Sequence, residues 1–220
     1  MGLREEIEAA FAKAASQGGV RHLSIDGDEE VWVAGLVATD GTLEVRVGDH
    51  GPRRGLRRRR PDRSVMEAQG FRDSFHDAWI LPVPPGSGQA ARGAAAAVSA
   101  LVDGLGVADD AHAEVFFNQR GAKDLVAAVE ALASGREEKA FVDPVGGANA
   151  LAMIAVGDRI RVDVLWPGKE PLELAGFDPD PDERISTREV ERDEAVAAAE
   201  LALRAVGVNA GGPLLIHLGD

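Results

Sequence analysis

Three groups of residues have the types and spacing to do chemistry. The first is Asp178-Pro179-Asp180-Pro181-Asp182-Glu183-Arg184-Ile185, with Glu189 beyond it. Carboxylates at positions 1, 3 and 5, an isoleucine at 8 and a glutamate at 12 follow the spacing of a calcium loop. Position 6 is Glu183, where the sharp turn needs a glycine, and Pro181 locks the backbone at position 4. The stretch therefore reads as acidic residues ahead of a helix N-terminus, where exposed amides favour negative charge. No metal site is expected from it.

The second group is the histidines: His22, His50, His76, His112 and His217. No two lie within four residues of each other, so none forms a local metal motif. His76 beside Asp77 could be the acid–base pair of a hydrolase with a dispersed site, with Asp178 as a further carboxylate. No nucleophile on a recognisable elbow accompanies it. Gly146-Gly147 lacks the third glycine and following helix of a phosphate loop and reads as a turn. With no cysteine in the chain, thiol chemistry, disulfides and thiolate metal sites are excluded. Neither catalytic residues nor a cofactor are expected.

The third group is the arginine run Arg53, Arg54, Arg57, Arg58, Arg59, Arg60 and Arg63. Its centre, Arg57 to Arg60, could pair with phosphates or with an acidic protein segment. No aromatic residue interleaves it, so stacking on bases is unsupported. The plainer reading is a solvated loop that blunts a sheet edge. Replacing Arg57 to Arg60 by serine would then cost well under about 1 kcal/mol.

These residues have to be positioned by a chain of 220 residues with 45% hydrophobic content and a formal charge of −13. Such a chain can bury a core. Its charge opposes general nucleic-acid binding. The charge divides as about −4 through Asp110 and −9 afterwards, the first half being lifted by its arginines. No apolar run approaches the length of a membrane span, and Met1-Gly2-Leu3-Arg4-Glu5-Glu6 is not the start of a secretory signal. The expected compartment is the cytoplasm.

Periodicity supplies the elements. Leu3, Ile7, Ala10, Phe11 and Ala14 form one stripe of a helix stopped by Gly18-Gly19. From Glu30 the period becomes two. Val31, Val33 and Gly35 alternate with Trp32, Ala34 and Leu36, and Asp40-Gly41 turns the chain into a return strand from Thr42 to Gly48. In that return strand Leu43, Val45 and Val47 are expected inside, with Thr42, Glu44 and Arg46 wet. Ser64 could cap a short helix ended by Gly70. A strand is expected over Ala78 to Val83, a helix over Gln89 to Leu105, and a further strand over Ala113 to Phe117. A helix from Ala122 to Ala133 follows, then a strand from Lys139 to Val142. A hairpin from Ala150 to Trp166 turns at Gly157-Asp158. The last elements are a helix from Ser186 or Thr187 to Val206 and a strand from Leu214 to Leu218.

The order repeats. Gly70-Phe71 and Gly176-Phe177 are 106 positions apart, and the helix-closing pairs Gly106-Val107 and Gly207-Val208 are 101 apart. Such spacing marks two copies of one unit, residues 1–110 and 111–220. Strands joined by turns rather than helices make each copy α+β, a helix–antiparallel sheet–helix unit. Phe71, Phe75, Trp79 and Phe177 cluster at the repeated turn. They suit a core, or the lining of an apolar groove that takes a peptide.

Met66, Gln69-Gly70-Phe71, Phe75, Trp79, the alanine-rich helix and Gly106-Val107 together resemble the tail of the YbjN-like, type III secretion chaperone-related (TY-Chap) group. In that group a Leu-Gly-Trp-like turn stands where this chain has Gln69-Gly70-Phe71. The resemblance spans Glu30 to Val107 and extends to Ala122–Val208 through Gly176-Phe177 and the helix. It implies a domain that binds extended peptide or protein segments without catalysis, and it supplies no catalytic residues. A tandem copy of a unit that elsewhere pairs as dimers implies a monomer with an internal pseudo-two-fold axis.

Overall fold

A computed structural model describes residues 2–54, 57–74, 78–147, 151–165, 173, 175–180 and 185–219. The fold is α+β. The chain divides into two compact units, Met1–Gln119 and Arg120–Asp220.

In the first unit, α1 (Leu3–Gln17) buries the stripe read from the sequence, Leu3, Ile7, Ala10, Phe11 and Ala14. A strand for which the pattern gave no signal follows at once, β1 (Gly19–Ile25). Two glycines with positive φ, Gly18 and Gly19, turn the chain straight from helix into strand. Next come β2 (Asp28–Val37) and β3 (Leu43–Gly48), joined through the Asp40-Gly41 turn. The arginine segment is a small hairpin, β4 (Arg53–Arg54) against β5 (Arg57–Arg58). After it stand α2 (Arg63–Ala68), β6 (Arg72–Asp73) and β7 (Ala78–Val83). Asp62, not Ser64, caps α2, accepting from the Ser64 N–H at 3.0 Å. The long helix is α3 (Gln89–Ser99), continued by a wider π-helical stretch, Ala100–Leu105. The strand β8 (Ala113–Gly121) then pairs with β1 through Gln119. The sheet runs β8-β1-β2-β3-β7-β6, every pair antiparallel. Both long helices lie on one face of it, and Leu23, Val33, Val45 and Val47 meet Phe11, Leu101 and Leu105 in the core.

The second unit repeats this plan. Its elements are α4 (Leu125–Ala133), β9 (Lys139–Pro144), β10 (Leu151–Val156), β11 (Arg159–Leu165), β12 (Asp178–Asp180), β13 (Ile185–Glu191), α5 (Ala195–Ala205) and β14 (Leu214–Gly219). The strand order is β14-β9-β10-β11-β13-β12. Position by position it matches the first sheet, with β14 in the place of β8. Leu132, Val142, Met153, Val162, Phe177 and Leu203 form its core.

Two expectations are corrected. The last helix does not begin at Ser186, because Ile185–Glu191 is the strand β13, paired residue for residue with β11. Its sequence alternates, burying Ser186 and Val190, and Ile185, Thr187 and Val190 are β-branched residues that favour strands. The acidic residues from Asp178 therefore precede a strand and not a helix. The polar face of β3 is also not wet. Glu44 is fully buried, and its carboxylate is neutralised by Arg46 at 2.6 Å, the condition on which a charge tolerates burial.

Candidate functional site

Of the aromatic residues at the repeated turn, Phe71, Trp79 and Phe177 line no groove among the described residues. Phe71, Trp79 and Phe177 are 2%, 4% and 2% exposed and belong to the two cores, so an incoming peptide has no surface of theirs to meet. Phe75, His76 and Asp77 lie outside the described residues. Asp178 and Glu189 sit on β12 and β13, where Asp178 pairs with Thr187. Among the described residues no three His, Asp or Glu side chains gather into a metal set.

The described histidines are dispersed, each with its own surroundings. His50 pairs with Asp49, His112 with Glu6 at 3.1 Å, and His217 stacks on Phe141. In the second unit a pocket of about 390 Å³ is lined by Arg120, Lys123, Glu130, Arg136 and Glu137 among others. Three basic and two acidic side chains line it, so their charges largely cancel.

The arginine hairpin is less free than a solvated loop. Arg58 donates to both oxygens of Asp28 at 2.9 and 3.1 Å and also contacts Glu30, leaving its side chain 13% exposed. That fork lowers the pKa of Asp28. Arg59 lies over Gly106, which ends the long helix with φ 73°. A Cβ on Gly106 would run into the Arg59 guanidinium. A cation is favoured at that end of a helix. Arg57 is exposed, and Arg60 is 77% exposed beside Asp49. The four arginines thus split: Arg58 and Arg59 hold the hairpin against β2 and the helix end, and Arg57 and Arg60 face solvent.

The surface that stands out is β8. Val115, Phe116 and Phe117 are 51%, 44% and 42% exposed, and the strand is exposed from Glu114 through Asn118. One edge of this stretch is paired with β1. The other begins at Ala113, whose N–H donates to the Glu6 carboxylate of α1 at 2.7 Å. That bond and the one to His112 lower the pKa of Glu6. The Ala113 N–H therefore points away from β1. By the two-residue period of an antiparallel ladder, the N–H and C=O of Val115 point the same way. Among the described residues the edge is capped at Ala113 and carries no strand from Glu114 to Asn118. Arg120 and Gly121 belong to the second unit, where they pair with β14.

A bulge opposite His22 and Leu23 interrupts β8 and places Phe116 over the His22 ring at 4.6 Å. Trp32 meets the same ring edge-on at 4.5 Å, and its indole lies across Gly48, where a Cβ would come within 2.8 Å of Nε1. The His22 Nε2 is buried without a hydrogen-bond partner among the described residues. Burial, with Arg46 nearby, pushes its pKa down to about 4, so the ring is neutral at pH 7. The result is an apolar aromatic platform of His22, Trp32 and Phe116 beside an open strand edge.

The sequence carried one signal for this site. Phe116-Phe117 is the only adjacent aromatic pair in the chain. Alternation along a strand forbids two neighbours from sharing one face. In a regular strand three apolar residues in a row fall on both faces and call for cover on both sides or a partner.

Compared with known proteins, the chain matches no family model, no curated protein and no solved structure.

Proposed function

We propose that the chain is a non-enzymatic binding module of chaperone or adaptor type, which takes an extended peptide or protein segment as an added strand on β8. One observation carries this reading: Glu114 to Asn118 combines an open backbone edge with exposed Val115, Phe116 and Phe117. Native sheets normally cover or charge such edges, and clustered exposed apolar residues mark interaction surfaces. Strand addition supplies main-chain hydrogen bonds for affinity and side-chain contacts for selectivity. The resemblance to secretion chaperone-related proteins points in the same direction. The acidic charge disfavours nucleic acid as the partner. No helix among the described residues is long and apolar enough to cross a membrane. The cytoplasm is the proposed compartment, and the proposed state in solution is a monomer of 23.1 kDa.

The test is direct. Peptides selected from a random heptapeptide library are labelled and titrated by fluorescence anisotropy against wild type and Val115→Pro. Proline removes an outward N–H and leaves the ladder to β1 intact. Binding should weaken at least about tenfold, or more than about 1.4 kcal/mol, with the thermal midpoint unchanged. Equal binding by the variant removes β8 as the site.

A further inference from the structure

Resting on that reading, we infer the chemistry of the occupant: a segment running antiparallel to β8, with a β-branched, strand-forming core of about five residues and Lys or Arg on its C-terminal side. The length follows from the open edge. Only Glu114 to Asn118 is exposed between the Glu6 cap at Ala113 and the half-buried Gln119, a stretch of about 17 Å at the strand rise. The direction follows from the sheets. Every strand pair in both units is antiparallel. In the second unit β14, the counterpart of β8, has its outer edge taken by an antiparallel partner, Arg120 and Gly121.

The charge follows from what surrounds the start of β8. Asp26, Asp109, Asp110 and Glu114 are all exposed there. Asp26 stands at that end because its carboxylate accepts the His112 N–H at 2.8 Å. From Gly104 to Gln119 the chain contains no Lys or Arg, and His112 is engaged by Glu6. An antiparallel occupant brings its C-terminal end to this acidic end. A positive charge at that position meets carboxylates, and a negative one is repelled. A second copy of this chain would bring Asn118, Gln119 and then Arg120 to this end, but the backbone of its Arg120 is already paired with β14, and the mass in solution separates it from a free segment. At the other end Asn118 and Gln119 are uncharged and Arg21 donates to the Gln119 carbonyl at 3.3 Å, so no further cation is called for there.

Three labelled peptides separate the possibilities: Thr-Val-Thr-Val-Thr-Lys-Arg, the same core with Lys-Arg moved to its front, and the same core ending in Glu-Glu. At low salt the first should bind about tenfold more tightly than the third and several-fold more tightly than the second, the differences shrinking in 0.5 M NaCl. The triple variant Asp109→Lys, Asp110→Lys, Glu114→Lys should reverse the order of the first and third. Its circular dichroism and thermal midpoint serve as the check on folding. Equal binding of all three peptides, abolished by Val115→Pro, overturns the charge and direction inferred here and leaves β8 as a binding edge. Tighter binding of the front-loaded peptide overturns the direction. Binding of none of them, or equal binding to Val115→Pro, overturns the edge reading itself. A mass of twice the monomer that Val115→Pro abolishes puts a second copy on the edge and overturns the inference.

Discussion

Replacing Gly35 by alanine tests how the first unit holds β1 and β2 in place. Gly35 lies on β2 directly beneath Phe11 of α1, and a Cβ there would come within 2.6 and 2.8 Å of two ring carbons. Phe11 has no room to retreat. It is fully buried, and α3 crowds the ring from another side, where a Cβ on Gly93 would come within 3.3 Å of it. The added methyl therefore forces the ring off its rotamer or lifts α1 from the sheet, a strain of about 1–3 kcal/mol. Alanine recovers roughly 0.5–1 kcal/mol by restricting the unfolded chain. The net expectation is a loss of about 1–2 kcal/mol, read from urea unfolding. In a Phe11→Leu background the smaller side chain makes room, so the loss should shrink by at least about 0.5 kcal/mol. A neutral or stabilising Gly35→Ala, or equal cost in both backgrounds, refutes this packing.

Two further outcomes follow from the same structure. His22 has a folded pKa near 4, below its ordinary 6.5, so the unfolded state takes up its proton first. Its contribution to stability is complete above about pH 6.5, falls as the pH drops toward 4, and changes no further below that. Allowing for solvent screening of the partly exposed ring, the loss is roughly 1–2 kcal/mol. It appears as the difference in pH dependence between wild type and His22→Phe. Within the arginine hairpin, Arg57→Ser should leave the thermal midpoint unchanged, and Arg58→Ser should lower it measurably by releasing Asp28 and Glu30. Equal effects would mean that the fork does not hold the hairpin.

Local pattern carried much of the fold. The stripe through Ile7 and Phe11, the turns at Asp40-Gly41 and Gly157-Asp158, and the paired Gly-Val endings are all short-range signals. Three features depended on what lies across space. Gly19–Ile25 mixes Arg21 and His22 into a strand in which both are largely covered by tertiary packing. Ile185–Glu191 abuts an alanine-rich helix, whose strong propensity extends over the neighbouring strand unless Arg192-Asp193-Glu194 is read as a turn. Phe71, Trp79 and Phe177 announced themselves by type, yet their burial depends on elements far away in sequence. The site on β8 was visible as a strand from Ala113. That its edge is open depends on where Glu6 and β14 end the pairing, which no local pattern encodes.

Amide hydrogen exchange at Val115 reads the addition of a strand to β8 at the bond it would form. In the free protein the Val115 N–H faces solvent and should exchange rapidly, whereas amides of β8 that point at β1 should be protected. Saturation with Thr-Val-Thr-Val-Thr-Lys-Arg should slow Val115 at least about tenfold, the protection expected of a newly formed ladder hydrogen bond. A Val115 amide already protected in the free protein, or one unchanged while protection appears elsewhere, would contradict the account.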